Sequence, residues 1–441
     1  MAEPTILARA EHTISRRDVD PDALKVLYRL HEHHYIAYLV GGSVRDLLLK
    51  RRPKDFDIGT SAHPHQVKKL FRNCWIIGRR FRLAHVKYGT KTIEVATFRR
   101  HVATSELTPE AEAVTAEAPE QETPPPAQPA GSRRRLDDHL IQRDTTYGTP
   151  EEDAFRRDFT VNALFYDIGT FSIIDYVGGL DDLDARIIRC IGEPDVRFLE
   201  DPVRMLRAVV LAARLEFTID QPILDAMAVH RHEIARSAPA RLLEEYYKIL
   251  RSGHAQEAFK QLRATGLLKA ITPELASGAD PVWRSIGALD LYRARFEAAP
   301  DSLTNAILAG TLLAPLGLVA RRRFSADALE RRVELGLLPI ARRDIERLQQ
   351  ILALQPRLLD INGPVRAQRG LLHRAVLAEA ITWLDIHGDR PEVVAHWRAL
   401  QSEAGEQPQP AADGSPAAAA PYPRRRRRRR RRGAPRVTDG S

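Results

Sequence analysis

The chain has 441 residues, of which 44% are hydrophobic and 28% are charged, so it is long enough to bury a large core and to divide into two or more domains. Its two cysteines, Cys74 and Cys190, are too few for a disulfide framework or a zinc site, which favours reduced thiols in a core. The longest apolar run, residues 306–320, is interrupted by glycine and proline and is shorter than the roughly 20 residues of a membrane span. Because residues 1–20 lack a secretory leader pattern, we expect a cytoplasmic protein with no membrane span and a disordered N-terminus over 1–20.

The net charge of +9 is concentrated at one end of the chain. Residues 424–441 contain ten arginines and one aspartate, so the rest of the chain is close to neutral. A run of like charges does not fold, but it can neutralise phosphates, and we predict a disordered Arg-rich tail over 401–441 that binds RNA or a partner through arginines such as Arg424, Arg428 and Arg432. A purely solvated tail is the alternative.

A glycine turn is the first local signal. The apolar run 38–40 ends at Gly41 and Gly42, and Ser43 then begins an apolar-periodic segment, which predicts a strand, a tight turn and a helix. Glycines let the backbone approach a ligand closely, and the first N–H groups of a helix have no partners within it. The pattern therefore predicts a phosphate-binding turn.

Two aspartates follow this helix. Pro53 ends the helix, and residues 54–58 are predicted to form a short strand with Asp55 and Asp57 on one face. Two adjacent carboxylates repel each other unless a cation lies between them, and Mg²⁺ prefers such oxygen ligands together with substrate phosphates. An isolated Asp-x-Asp is usually a solvated turn, but its position after a glycine turn favours a metal site.

A third acid and a basic cluster lie further along the same region. Residues 92–98 alternate as a strand does, and Glu94 becomes a third acid if this strand neighbours the aspartates; a surface glutamate is the alternative. The arginines Arg79, Arg80 and Arg82 can pair with a triphosphate or an RNA backbone, or they can be solvated charges on an edge strand.

Residues 103–135 are predicted to be a disordered acidic and proline-rich insertion, since no apolar periodicity is found there. Residues 152–164 are predicted to form an amphipathic helix that gathers Arg157, Asp158 and Asn162 on one side. Arginine offers forked donors for phosphate, and the amide can bind a ribose hydroxyl. A salt-bridged helix surface is the alternative.

A second functional pattern is centred on Pro202, which suits the first turn of a helix, with Asp201 as its cap. Asp201 and Arg204 are one turn apart, and together a carboxylate and a guanidinium can read the edge of a base without a nucleic-acid template. Such a pair is more often a simple salt bridge.

Three motifs taken together resemble one family. The segments GGSVRDLLLKRRPKDFD, RRDFTVNAL and EDPVR are similar to motifs of the class II nucleotidyltransferases, a branch of the polymerase-β-like superfamily that includes CCA-adding enzymes and bacterial poly(A) polymerases. The resemblance implies an α+β fold in which a nucleotidyltransferase head with a small mixed sheet (21–176) precedes a helical neck (177–250) and a helical RNA-binding body (251–400). A glycine hinge at 178–179 would allow the head to move.

Two further segments, IIGRRFRLAHV and APARLLEE, resemble the poly(A) polymerase form of these motifs, and the resembling poly(A) polymerases also end in basic tails. One departure is visible, because Val210-Leu211 stand where the family usually has Arg-Phe.

The resemblance implies template-independent transfer of AMP from ATP to RNA 3′ ends, with release of pyrophosphate and a role in RNA processing and decay. It implies two Mg²⁺ ions, with Mn²⁺ as a possible substitute, held by Asp55 and Asp57, and catalytic roles for Asp158 and Glu94. The implied ATP-binding residues are Gly41, Gly42, Ser43, Arg45, Asp46, Arg157, Asn162, Glu200, Asp201, Arg204 and Arg207. RNA-decay proteins are possible partners of the tail. The alternatives are a CCA-adding enzyme, which would use CTP before ATP on tRNA, and a non-catalytic RNA-binding protein.

Overall fold

An eight-stranded mixed sheet forms the centre of the N-terminal part of the molecule. The computed structural model describes residues 3–78, 82–100, 147–319 and 333–406. The strands in chain order are β1 (Thr5–Leu7), β2 (Ala37–Val40), β3 (Ile58–Thr60), β4 (Cys74–Ile77), β5 (Leu83–Tyr88), β6 (Lys91–Thr97), β7 (Leu164–Asp167) and β8 (Ser172–Asp175). Their spatial order is β1-β8-β7-β2-β3-β6-β5-β4, and within this sheet β3 pairs in parallel with β6 while the other pairs are antiparallel.

Helices α1 (Pro21–Glu32) and α3 (Pro64–Leu70) pack against this sheet. Helix α1 is capped at its start, because Asp20 Oδ1 accepts the N–H of Asp22 at 2.8 Å and proline occupies the first helical position. Its buried residues Ala23, Val26, Leu27 and Leu30 recur at the spacing of one helix face. Between these helices, α2 (Gly42–Leu48) follows β2 directly.

The C-terminal part is mostly helical. Its helices are α5 (Gly179–Ala185), α6 (Pro194–Glu200), α7 (Val203–Leu215), α8 (Gln221–His230), α9 (Pro239–Arg251), α10 (Ala255–Ala264), α11 (Leu267–Ile271), α12 (Pro273–Ala276), α13 (Asp280–Arg293), α14 (Asn305–Leu313), α15 (Arg342–Leu358), α16 (Val365–Leu372), α17 (Leu377–His387) and α18 (Pro391–Glu406), with α4 (Pro150–Arg156) preceding them in the head. The predicted α+β class is confirmed. The helical part also contains a two-stranded parallel sheet of β9 (Ile187–Ile188) and β10 (Thr218–Ile219).

The last helices share a core centred on Trp397, which is fully buried and donates its indole N–H to the carbonyl of Leu358 at 2.8 Å. Helix α14 is buried along nearly its whole length, as its apolar sequence predicts. In the four ranges that the structure describes, no helix combines the length and the hydropathy needed to cross a membrane.

The N-terminal segment differs from the predicted disorder over 1–20. Strand β1 extends the sheet by pairing Thr5 with Asp175, and Ile14 and Val19 are buried in the core. The sequence analysis missed this segment because isolated apolar residues in a polar stretch have no periodicity. Its order comes from partners about 170 residues away.

The predicted helix over 152–164 is also corrected. Helix α4 ends at Arg156, residues Thr160–Asn162 form a short 3-10 helix, and β7 begins at Leu164. The chain leaves the helix because its backbone pairs with residues 189–191 instead: the N–H of Thr160 donates to Arg189 O at 3.1 Å, and the N–H of Ile191 donates to Asp158 O at 3.1 Å.

Replacing Ile14 tests whether the N-terminal segment is part of the fold. Because Ile14 is 1% exposed, Ile14→Ala is expected to lower the free energy of unfolding by about 2–5 kcal/mol, as other large-to-small core changes do. Ile6→Ala is the matched control, since Ile6 is 59% exposed and its replacement should have little effect. Urea unfolding measures both, and equal stability of the two variants would contradict the packing of this segment.

Candidate active site

The glycine turn between β2 and α2 has the predicted form. Gly41 has φ of 71°, which favours glycine, and a Cβ at this position would lie 2.8 Å from Nη1 of Arg157. The Ser43 hydroxyl donates to the carbonyl of Val40 at 3.1 Å and closes the turn. Gly42 follows as the first residue of α2. The turn therefore brings the backbone against an arginine from a distant segment, which no side chain at Gly41 would allow.

Asp55 and Asp57 lie in the loop before β3, and the predicted strand over 54–58 is corrected to begin at Ile58. The carbonyl of Asp57 accepts the N–H of Val40 at 3.1 Å, which holds this end of the loop beside β2. The parallel register pairs Ile58 with Val95 and places Glu94 beside Asp57. The three acids of the sequence analysis therefore meet on one face of the sheet, at its interior strands β3 and β6.

The negative charges of these three acids repel one another when no cation is bound. The pKa of Asp57 is raised to about 6, first by desolvation and then by the charges of Glu94 and Asp55, while Arg157 acts in the opposite direction. Asp57 retains an exposed surface, but the protein around it is dense enough to penalise its charge. A positive ion here would relieve the repulsion.

The protein can supply only part of a metal's coordination. Among the described residues, no group of three or more His, Cys, Asp or Glu side chains is arranged to hold a metal ion. Asp55 is well exposed, with Nζ of Lys54 at 3.7 Å from its Oδ2. A pair of carboxylates suits a hard cation such as Mg²⁺, which takes its remaining oxygens from water and substrate phosphates. The residues present fit such an ion.

Arg157 is fixed beside the acids. Its Nε and Nη2 donate to Oδ2 of Asp153 at 3.1 and 2.9 Å, and its Nη1 donates to the carbonyl of Asn162 at 3.1 Å. Asp153 was missed by the sequence analysis, although its position one turn before Arg157 is the usual spacing of a helical ion pair. The guanidinium is thereby pre-oriented, which reduces the entropy lost when it binds an anion.

Arg45, Asp46 and Asn162 are engaged with one another. Arg45 is 3% exposed, and its Nε and Nη2 donate to Oδ1 of Asp46 at 2.9 and 2.6 Å while its Nη1 donates to Oδ1 of Asn162. Nη2 of Arg214, in α7, donates to Oδ2 of Asp46 at 2.8 Å. These predicted ATP-binding residues thus form a hydrogen-bond network that connects α2 to α7.

Asp158 connects the segment after α4 to helix α7. It accepts from Nε of Arg204 at 2.9 Å and from Nη2 of Arg207, both in α7. Arg204 also donates from Nη1 to Oε2 of Glu200 at 2.9 Å. The salt bridge between Asp201 and Arg204, which the sequence analysis gave as the alternative, is therefore not the pairing observed, because Arg204 is directed at Asp158 and Glu200.

Asp201 pairs instead with Arg241 of α9. The two form a fork in which Nη1 and Nη2 donate to Oδ1 and Oδ2 at 2.9 and 2.7 Å. Burial alone would raise the pKa of Asp201, but the hydrogen bonds and charge of Arg241 outweigh it and hold the pKa below its usual value. Asp201 Oδ1 also accepts the N–H of Val203 at 3.3 Å, but the helix begins at Val203 with Pro202 in the cap position, one residue later than predicted.

Arg197 is a buried arginine beside the candidate site that was not predicted from the sequence. It is 6% exposed, and its Nη2 donates to the carbonyls of Arg156 and Arg157 at 2.7 Å each, while its Nη1 donates to Glu200 at 3.1 Å. It holds the chain just before Asp158. Its spacing from Glu200 predicts only a surface ion pair, so the sequence carries no signal for this role.

The predicted RNA-binding arginines are only partly described. Arg82 is exposed directly before β5. Arg79 and Arg80, the 103–135 insertion, and the tail arginines Arg424, Arg428 and Arg432 lie outside the described residues.

Comparison with known proteins finds three family segments along the chain. A poly A polymerase head domain matches residues 37–189, a probable RNA and SrmB-binding site of polymerase A matches residues 216–278, and a polymerase A arginine-rich C-terminus matches residues 322–432. The head-domain match covers the glycine turn, the three acids and Arg157.

These segments are similar to those of poly(A) polymerases, which are class II nucleotidyltransferases. Members of this family typically use a divalent metal ion, which agrees with the paired carboxylates.

Three relatives define the position of the chain within this family. It is 46% identical over 271 residues to poly(A) polymerase I of Salmonella typhimurium, covering 62% of the chain and 54% of that protein. It is 34% identical over 259 residues to the CCA-adding enzyme of Lactobacillus helveticus, covering 59% and 57%. The structure of the Bacillus stearothermophilus CCA-adding enzyme in complex with CTP matches with a TM-score of 0.56 and 26% identity, covering 88% of this chain and 83% of that one. The chain spans about half the length of the curated relatives it matches.

The crowding of acids predicts how metal binding depends on pH. Because the pKa of Asp57 is about 6 and a cation requires its ionised form, the affinity for Mn²⁺ should be constant above pH 7 and should fall as pH is lowered through about 6. Electron paramagnetic resonance of free Mn²⁺ measures this.

Two variants sharpen this measurement. Glu94→Gln removes part of the repulsion and should move the step to lower pH, whereas Asp57→Asn should weaken binding and abolish the step. A step that Asp57→Asn leaves unchanged would show that Mn²⁺ binds elsewhere.

Proposed function

We propose that this protein is a poly(A) polymerase, which transfers AMP from ATP to the 3′-hydroxyl of RNA without a template and releases pyrophosphate. The observation that carries the proposal is the meeting of Asp55, Asp57 and Glu94 on one face of the sheet. The chain that holds them is 46% identical over 271 residues to a poly(A) polymerase I and 34% identical over 259 residues to a CCA-adding enzyme. RNA processing and decay would be its cellular role.

Asp55 and Asp57 would hold two divalent ions, Mg²⁺ or Mn²⁺, with Glu94 in support. Such ions lower the pKa of the attacking hydroxyl and neutralise the triphosphate, so that attack at the α-phosphorus needs no covalent nucleophile. The protein positions the carboxylates that would bind these ions. Strands β3 and β6 hold them side by side, and the loop before β3 keeps Asp55 accessible to substrate.

Arg157 and the glycine turn would receive the phosphates. The guanidinium is held by Asp153, and the Gly41 backbone lies against it, so the cation and the turn form one surface. A pre-oriented cation stabilises the charge that develops on the triphosphate without reorganising during the reaction. Asn162 and the Arg45–Asp46 pair would keep this surface in place.

Asp201 and Arg204 would select the base in place of a template. Asp201 can accept from the exocyclic amino group of adenine, and the fork with Arg241 fixes the plane of its carboxylate. Arg204 is fixed by Asp158 and Glu200, with Arg207 alongside, so the base site and the catalytic head would be coupled.

RNA would bind along the body and the tail. The matched RNA-binding segment covers residues 216–278, and the arginine-rich match extends to residue 432. Arg82 would add an exposed cation in the head. RNA-decay proteins are the partners we propose for the tail, since an arginine run binds acidic surfaces as well as phosphates.

A CCA-adding tRNA nucleotidyltransferase is the second candidate. It is favoured by the structural match to a CCA-adding enzyme over 88% of the chain. It would use the same carboxylates and a similar base site, so catalytic residues alone do not separate the two functions. The nucleotide used and the RNA extended do.

Replacing either aspartate tests the proposed chemistry. Asp55→Asn and Asp57→Asn should each lower the rate of pyrophosphate release from ATP and oligoadenylate by at least about 100-fold, because each removes a carboxylate from the metal site. Asp301→Asn, which changes an exposed aspartate of the body, is the matched control and should retain full activity. Circular dichroism checks folding, and substantial turnover by a folded Asp55→Asn variant would refute the assignment.

A further inference from the structure

A row of side chains crosses one face of the sheet from the three acids, at interior strands, to the exposed edge strand β4. In the strand register Glu94 pairs with His85, and His85 pairs with Trp75, while Glu94 lies beside Asp57. Directly paired residues project from the same face of a sheet. Nε2 of His85 lies 3.6 Å from Oε1 of Glu94, so neighbouring members of the row are in reach of each other.

This face is open at the outer strand. Trp75 is 51% exposed and Ile77 is 48% exposed, whereas Cys74, Ala84 and Val86 are directed into the core from the opposite face. An exposed tryptophan ring keeps a large apolar surface in contact with water, which is unfavourable, and a bound partner would remove that surface from water.

A cation accompanies the ring. Nζ of Lys87 lies 5.1 Å from the centre of the Trp75 ring, and Lys87 itself is exposed on β5. Arg82, directly before β5, is also exposed. An aromatic face beside positive charges is the combination that single-stranded nucleic acid requires, because bases stack on the ring and phosphates pair with the cations.

We propose that Trp75 is a stacking platform for a nucleotide of the RNA primer, upstream of the 3′ end held at Asp57. This inference rests on the proposed function for its substrate. Neighbouring strands are about 4.8 Å apart, so three strand spacings place Trp75 about 14 Å from Asp57. At roughly 3.4 Å per stacked nucleotide, the ring meets the base about four positions from the reacting hydroxyl.

The continuity of the row favours RNA over a protein partner. The path begins at the catalytic acids and reaches Trp75 through His85 without leaving the sheet face. A primer whose 3′ end lies at Asp57 has to leave along some surface, and along this row it meets an aromatic ring and Lys87. A protein partner would have no reason to depend on the length of the primer.

Primer length is therefore the test. Trp75→Ala in the full chain should raise the KM for a 12-nucleotide oligoadenylate by about 5- to 100-fold, the loss expected for one stacked base, with kcat and the KM for ATP unchanged. A trinucleotide primer is too short to reach the ring and should be extended equally by both proteins. Trp75→Phe keeps an aromatic face and should restore most of the affinity.

Fluorescence anisotropy of a labelled 12-nucleotide oligoadenylate makes the test independent of catalysis. Trp75→Ala should weaken this binding, whereas Tyr28→Ala, which removes an exposed ring from α1, should not. If Trp75→Ala binds and extends both primers as the parent does, the platform is refuted while the proposed function stands. If the parent protein incorporates no AMP, the proposed function fails, and the anisotropy result still decides whether Trp75 binds RNA.

Discussion

The repulsion among three carboxylates is the constraint on which the site depends. Asp55, Asp57 and Glu94 are brought together by the parallel pairing of β3 with β6 and by the hydrogen bond from Val40 to Asp57. The pKa of Asp57 is raised first by desolvation and then by the charges of Glu94 and Asp55. A fold keeps such an arrangement only when other interactions stabilise it. Here the eight-stranded sheet and its helices hold the acids in place, ready for a cation and a polyphosphate.

The arginines around the acids divide into two groups. Arg157 lies next to the acids and offsets their charge, while Arg197, Arg204 and Arg214 connect the head to the neck through hydrogen bonds to main-chain carbonyls, Asp158 and Asp46. Under the proposed function these ion pairs would orient both the catalytic and the base-selecting groups, so a shift of α7 would also move the groups beside the acids. Nucleotide choice and catalysis would then be mechanically connected.

Features that depend on neighbours in sequence were predictable. The turn at Gly41 and the alternation around Glu94 are decided within a few residues, and both are present in the structure. Ion-pair partners were not predictable, because Asp201 finds Arg241 forty residues later and Asp46 finds Arg214 in another part of the chain. The prediction of a helix over 152–164 was wrong for the same reason, because backbone hydrogen bonds to residues 189–191 end the helix despite its helical periodicity. The packed N-terminal segment depends on the sheet edge it covers.

The most direct test of poly(A) polymerase activity is extension of a short oligoadenylate and of a tRNA that ends before CCA, each supplied with ATP alone, CTP alone, or both. A poly(A) polymerase should produce long tails from ATP alone on either RNA. A requirement for CTP, with arrest after CCA is completed on the tRNA, would contradict the proposed function and identify a tRNA-finishing enzyme.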